Sequence, residues 1–380
     1  MTLQLLAFSD VTSAVGSVLL ALLILLAMIT VHEFGHWAAG KLLHFKITEF
    51  AIGFGPALFK HTKKNGEIFS VRALPLGGYC AFAGEEEDAD DPDAFNNKKP
   101  WRRIIVLFAG AFMNYVLALA LILTSFFAYG QLLLMTYRTD GAQVTQSGIP
   151  VSGYSFADED VILSCEGKGI YLTSDLMEAL EGKKEGDLVQ FVVSRKGEEG
   201  RSEQEISVML RSDASFENLT DTDPLWQALG IAKRANEDGT STWMVASAVY
   251  KGFGFFRTVG NAFSYSFRIG GTIFKVLGQL FTGHLGLEAF GGPVTTIKLT
   301  SQIAAQSFQQ FLEIAAFIGV NLAVFNLLPI PALDGSKIVF TLIEWVRGKP
   351  VNRKVEAAIH FAGFVLLIGF AILVDLLQFL

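Results

Sequence analysis

Residues 11–36 read VTSAVGSVLLALLILLAMITVHEFGH, an uncharged run from Val11 to Val31 that ends directly on His32-Glu33-Phe34-Gly35-His36. A run of that length is enough for a helix to cross about 30 Å of hydrocarbon. The two histidines are spaced i, i+4, which on a continuing helix puts both imidazoles on one face, as a single divalent metal requires. Glu33 then lies beside them. Zinc held by two histidines takes a third protein ligand and keeps a position open for water, whose pKa it lowers toward ~7; an adjacent glutamate is placed to take that water's proton. Ionisable side chains at the end of an apolar helix each cost roughly 3 kcal/mol in lipid, so these are expected to face a bundle interior or a water-filled cavity and to have a task there.

Working outward, the rest of the chain has the same character. Its 380 residues are 51% hydrophobic with a mean hydropathy of +0.42, which excludes an ordinary soluble enzyme and predicts several spans. Uncharged stretches long enough to cross a bilayer are Val11 to Val31, Ile104 to Tyr129, Ile314 to Leu333 and Ala357 to Val374, the last extendable to 379. The first is expected to stay attached rather than act as a secretory signal, because Met1 to Asp10 lacks Lys and Arg and no small-residue cleavage site follows. Lys60, Lys63, Lys64, Lys98, Lys99, Arg102 and Arg103 lie between the first two spans, and Arg347, Lys349, Arg353 and Lys354 between the last two. The positive-inside rule then puts both termini outside and brings His32 and Asp334 to similar depth on the cytoplasmic side. The net charge of −7 comes without a basic tract, which excludes nucleic acid as a partner.

The expected fold is therefore a polytopic α-helical membrane protein of about four transmembrane helices, with two kinds of insertion. Between Lys46 and Phe82 the clusters Gly53-Phe54-Gly55-Pro56, Asn65-Gly66 and Leu76-Gly77-Gly78-Tyr79 mark turns, and Glu67 to Leu74 reads as a short strand. This is a re-entrant β-loop beside the His-Glu helix or, alternatively, a plain cytosolic hairpin; irregular backbone at membrane depth requires protein or water around it. Residues 140–212 read as a compact α/β module: a strand at Asp160 to Ser164, a helix starting near Thr173-Ser174 with Leu176 and Leu180, then strands at Leu188 to Ser194 and around Ile206, Val208 and Leu210. Residues 1–135 and 308–380 are the two halves of the membrane core. The intervening 213–307 is read as a linker carrying an interfacial amphipathic segment at Phe253 to Phe281, lying along the outer surface with its aromatic face inward. The acidic run Glu85 to Asp93 reads as a solvated loop, and Cys80 and Cys165 as two reduced thiols on opposite sides of the membrane.

The third metal ligand must come from elsewhere. Asp334 is the leading candidate because it ends Asn326-Leu-Leu-Pro-Ile-Pro-Ala-Leu-Asp334-Gly335, where Pro329 and Pro331 break the third span and free the chain to turn a carboxylate inward. His44, His61, His284 and His360 are its rivals.

These motifs together resemble the site-2 protease family of intramembrane zinc metalloproteases, specifically its bacterial regulator-of-sigma-E protease branch. The resemblance rests on HEFGH at 32–36, GFGP at 53–56, LGGY at 76–79, KKPWRRIIVLFAG at 98–110 with Asn114 beyond, GP at 292–293, NLLPIPALDG at 326–335 and EWVRGKP at 344–350, in the family's order. It implies a zinc endopeptidase cutting within the transmembrane segment of membrane-protein substrates, such as anti-sigma factors or remnant signal peptides. His32, His36 and Asp334 would bind zinc, Glu33 would be the catalytic glutamate, and Asn326 would hold substrate or stabilise the intermediate. The α/β module would be a single extracytoplasmic PDZ domain that limits access to large substrates, and the location the bacterial cytoplasmic membrane. Three positions depart from the pattern: Ala111 where the family usually has Pro, Ser336 where it has a second Gly, and Glu159-Asp160 where its PDZ module has Gly-Asp. Two other readings remain at this point, a membrane-anchored peptidase acting at the cytoplasmic face and a non-enzymatic scaffold with a structural metal.

Overall fold

The computed structural model describes residues 2–85, 90–136, 155–198, 200–216, 221–231, 233–235, 241–250, 253–283, 286–287 and 291–378. The chain divides into two compact units, one of residues 1–124 and 287–380 and the other of residues 125–286.

In the first unit, helix α1 (Thr2–Leu42) runs without interruption through the HEFGH motif, so the metal motif is part of the first apolar helix rather than an appendage to it. It stops at His44, which takes a left-handed φ of 59° while Phe45 N–H donates to Gly40 O and His44 N–H to Lys41 O. That pair of bonds is the Schellman ending, with a histidine where glycine is usual. Strands β1 (Ile47–Thr62) and β2 (Ile68–Phe82) follow, both much longer than the short strand expected. The first half of β1 is flanked on both sides, Phe50 pairing with Phe69 and with Cys80, while residues 57–62 double back along 68–72. Gly53 makes this doubling possible: its φ is +86° and a Cβ there would sit 2.6 Å from Leu74 O.

Helix α2 (Pro100–Ala128) starts with proline at its first position, where no N–H is needed. After the second unit come four further helices: α6 (Pro293–Gln306), α7 (Phe308–Leu327), α8 (Asp334–Arg347) and α9 (Arg353–Leu377). Among the described residues four helices are long and apolar enough to cross a membrane: Gly16–Leu42, Pro100–Ala128, Phe308–Leu327 and Arg353–Leu377. The third ends at Leu327 instead of the expected Leu333, because Pro329 and Pro331 cannot supply helical N–H donors. Helix α6 occupies part of the stretch expected to be linker. Asp375 near the end of α9 accepts from Val294 N–H, Thr295 N–H and Thr295 Oγ1–H, satisfying the donors at its N-terminus.

The second unit holds β3 (Gln131–Thr136), β4 (Val161–Cys165), β5 (Lys168–Gly169), helix α3 (Thr173–Leu180), β6 (Leu188–Gly197), β7 (Gly200–Met209), the short helix α4 (Asp223–Ala228), β8 (Lys233–Ala235), β9 (Ser241–Trp243), β10 (Val245–Tyr250) and helix α5 (Phe255–Thr282). The main sheet runs β10-β3-β4-β6-β7. Its core gathers Ile162, Leu176, Leu180, Phe191 and Val208 with Leu225 and Trp226 of α4, and β3 belongs to the sheet, so the module reaches beyond the expected 140–212 at both ends; residues 140–154 of that expectation lie outside the described residues. Asp160 is fully buried and takes a two-pronged ion pair from Arg195, while Glu159 before it has φ +61°, the conformation that the more usual glycine adopts freely. Helix α5 confirms the helix expected over Phe253 to Phe281, but its packed stripe is Thr258, Ala262, Ser266, Ile269 and Ile273, and Phe255, Phe256, Phe263, Phe267 and Phe274 are exposed. The aromatic residues thus form the unpacked face of the helix.

The hairpin is fastened to α1 through Glu67, whose carboxylate is 2% exposed and accepts from Trp37 Nε1–H, Lys41 Nζ and Lys63 Nζ. Burial alone would raise this carboxyl, but the hydrogen bonds from Lys41, Trp37, Lys63 and Asn65 hold it down at about 2. A carboxyl depressed in the folded state contributes stability above its unfolded pKa of ~4.3 and loses it as pH falls toward the folded value. Hydrogen exchange should accordingly show β1–β2 fully protected at pH 6 and opening progressively between pH 4.5 and 2. Glu67→Gln should open the same strands at neutral pH, at a cost of about 1–3 kcal/mol; unchanged protection in the variant would show that the carboxylate does not fasten the hairpin.

Candidate active site

Three side chains from opposite ends of the sequence converge at one point. His32 and His36 lie one turn apart on α1, and Asp334 is the first residue of α8. His32 Nε2 is 3.0 Å from Asp334 Oδ2 and 3.1 Å from His36 Nε2, and His36 Nε2 is 3.3 Å from the same Oδ2. Among the described residues this is the one group of three His, Cys, Asp or Glu side chains whose donor atoms are close enough to share a metal. Both histidines are buried.

The donor set fits zinc on three grounds. Two imidazole nitrogens and a carboxylate oxygen are its ordinary ligands, and a tetrahedral site with ~2.0–2.1 Å bonds has edges of ~3.3–3.4 Å, close to the triangle observed. The tautomers also fit. His36 Nδ1 lies 2.8 Å from Val106 O, an acceptor only, so Nδ1 carries the proton and Nε2 presents its lone pair to the centre. His32 Nδ1 lies 3.3 Å from the amide of Asn114, whose Oδ1 is otherwise buried without a partner among the described residues. Amide oxygen and nitrogen are interchangeable by a flip. Turning Oδ1 toward His32 satisfies that oxygen, puts the proton on Nδ1 and leaves Nε2 free.

Helix α2 can come this close only because its residues are small where the helices cross. A Cβ on Gly110 would sit 2.5 Å from His36 Nε2 and 2.8 Å from His32 Cε1, and one on Gly35 would sit 2.3 Å from Ala109 O. Val106, Gly110 and Asn114 are spaced four apart and so share one face of α2.

Glu33 is directed toward β2, where its Oε2 accepts from Cys80 N–H at 2.9 Å. Residues 78–82 pair with β1 on one side only, so Cys80 N–H belongs to the free edge of this sheet. Edge and metal ligands line one cavity of about 610 Å³ together with Tyr79, Ala81, Phe82, Glu85, Val106 and Lys337. Lys337 pairs with Glu85 at 2.7 Å, and that carboxylate holds its ammonium above the usual lysine range. Burial raises the Cys80 thiol, and raises the Cys165 thiol to about 12, so both are protonated and unreactive at neutral pH.

Asn326, near the end of α7, lies beside His32 on the side away from the other ligands, its amide 3.4 Å from His32 Nδ1. The rival histidines do not reach the centre. His44 ends α1, His61 is exposed in β1, His360 accepts a hydrogen bond from Ala332 N–H, and His284 lies outside the described residues. Val106, Gly110 and Asn114 are the site residues to which the sequence reading gave no role, although a glycine and an asparagine one turn apart in an apolar span were a visible signal.

The family model for peptidase family M50 matches residues 20–370. A relative named as a zinc metalloprotease in Clostridium perfringens is 33% identical over 361 residues, covering 94% of this chain and 97% of its own. Another in Nostoc is 31% identical over 371 residues, covering 94% of each, and a third in Fusobacterium nucleatum is 30% identical over 360, covering 94% and 96%.

The contact at Gly110 is open to direct test. Gly110→Ala should weaken zinc binding ~10–100-fold, the usual penalty for disturbing a ligand's support, as measured by chelator competition on purified protein whose thermal unfolding is otherwise normal. Wild-type affinity would show that α2 does not constrain the ligands.

Proposed function

The chain belongs to peptidase family M50 and is a zinc metalloprotease, and on that premise we propose that it hydrolyses a peptide bond inside the transmembrane segment of membrane-protein substrates. The observation that carries this reading is the position of HEFGH within Gly16–Leu42, an apolar helix of 27 residues flanked by a second one, Pro100–Ala128. A peptidase acting only on soluble chains has no use for a site at that place, and polar groups are retained among apolar helices where they have work to do.

In this reading His32, His36 and Asp334 hold the zinc ion, which when bound supplies Lewis-acid activation of water and of the scissile carbonyl. Val106 O and Asn114 fix the two imidazoles so that their lone pairs face inward. Glu33 takes the proton of the attacking water and returns one to the departing amine, and its bond from Cys80 N–H keeps the carboxylate on the cavity side of α1. Asn326 binds the substrate backbone beside His32 or steadies the charge that develops on the carbonyl oxygen. An unwound substrate segment adds as a strand to the free edge at 78–82, which brings an extended peptide past the ligands; β1–β2 would then be a re-entrant loop.

The main sheet of residues 125–286, with α3 against it, would be the single PDZ module on the extracytoplasmic side, restricting entry until a substrate's outer domain has been trimmed. Both termini would share that side, with the metal toward the cytoplasm of a bacterial inner membrane. Exposed Phe256 and Phe267 on α5 suit a helix resting at the bilayer surface. Anti-sigma factors or remnant signal peptides are the substrate classes this arrangement would serve.

Purified protein in liposomes with a single-span substrate provides the test, products being mapped by mass spectrometry. Cleavage should fall within the span, stop with a zinc chelator, and drop ~10²–10⁴-fold in Glu33→Gln, which should keep its zinc. Cuts confined to residues outside the span would instead make this a membrane-anchored peptidase of the aqueous face.

A further inference from the structure

We propose that His360 is a positioning residue for the metal site: by accepting a hydrogen bond from Ala332 N–H it holds the loop that aims Asp334. The inference rests on Asp334 being the third ligand.

The loop between α7 and α8 is short of donors. Pro329 and Pro331 have no N–H, and Ala332 follows them with φ +80°, a left-handed backbone that a residue with a Cβ adopts only when its surroundings impose it. Leu333 N–H donates to Ile330 O and Ser336 N–H to Leu333 O, closing the turn into α8. Ala332 N–H goes instead to another helix, to His360 Nδ1 of α9 at 3.1 Å. Asp334 stands two residues later, so the dihedral angles at Ala332 determine where its carboxylate arrives.

A second contact from the same face of α9 supports the first. Gly363, three residues beyond His360, lies against the loop so closely that a Cβ there would meet Pro331 Cβ at 2.3 Å and Pro331 O at 2.6 Å. Thus α9 grips Pro331 and Ala332 together. Phe340 of α8 also packs on the imidazole, its centroid 5.6 Å away.

A purely space-filling role would not select histidine here. Accepting from Ala332 requires the lone pair on Nδ1, which puts the proton of the neutral ring on Nε2. Nε2 is buried with no hydrogen-bond partner among the described residues, an expense that a leucine or phenylalanine of similar volume would avoid. What the imidazole adds over those is the acceptor for Ala332.

The test compares zinc affinity, by chelator competition on the full chain in detergent, for wild type, His360→Leu, His360→Asn, Gly363→Ala and Asp334→Ala. Asparagine places its Oδ1 close to where Nδ1 stood and keeps the acceptor; leucine does not. His360→Leu should bind zinc ~10–100-fold more weakly, His360→Asn should stay within about threefold of wild type by restoring the acceptor, and Gly363→Ala should weaken binding by displacing Pro331. Wild-type affinity in His360→Leu, with Asp334→Ala impaired, would overturn the positioning role and leave the ligand assignment standing. Equal losses in the leucine and asparagine variants would likewise overturn it, since the acceptor would then be irrelevant. Wild-type affinity in Asp334→Ala would overturn the ligand assignment itself.

Discussion

Three electron-pair donors within 3.3 Å of one another repel, and a shared cation turns that repulsion into attraction. Most of the first unit can be read as the means of holding them there. α1 supplies two at a fixed helical spacing, α8 supplies the third at its first residue, and α2 approaches near enough to orient both imidazoles only because Gly110 and Gly35 leave room. Small residues at a crossing let backbones touch where lipid offers no hydrophobic incentive for helices to associate.

The two layers around the centre differ in kind. Backbone groups carry much of the orientation, with Val106 O on His36 and Cys80 N–H on Glu33, and, proline at 80 aside, such groups survive substitution of their own side chains. Side chains then fasten the elements: Arg103, 2% exposed, joins α2 to Glu344 of α8 at 2.6 Å, Lys337 joins α8 to Glu85, and Glu67 joins the hairpin to α1. Breaking a pair as deeply buried as Arg103 with Glu344 leaves an uncompensated charge at a cost of about 3–5 kcal/mol. The ordering of the site thus depends on ion pairs set at the ends of the apolar helices, where charge is tolerated.

The first, second and fourth apolar helices were legible because an uncharged run of sufficient length is seldom anything but a membrane span, and HEFGH because its spacing is itself a statement about helix geometry. The third helix ended early for a local reason that the sequence does carry, the two prolines, but whose consequence depends on where the chain goes next. Helix α6 was not legible: Thr295, Thr296, Lys298 and Thr300 read as polar linker, and its N-terminal donors are satisfied by Asp375, some eighty residues later. The long pairing of β1 with β2 was hidden for a similar reason, since Gly53 and Gly55 look like turn markers yet permit one strand to be flanked twice. Asn114 and Val106 were present in a recognised motif, but their service to the histidines appears only once α1 and α2 cross.

Of the three converging side chains, the histidines are made early and the aspartate late, separated by about three hundred residues of chain. Asp334 is in turn held by a loop that touches α9, which is synthesised later still. During biosynthesis the first helix therefore enters the membrane with its histidines and glutamate complete but without the remainder of the centre. A nascent chain carries the signature motif and remains chemically silent, and hydrolytic competence arrives only once α8 and α9 have been made.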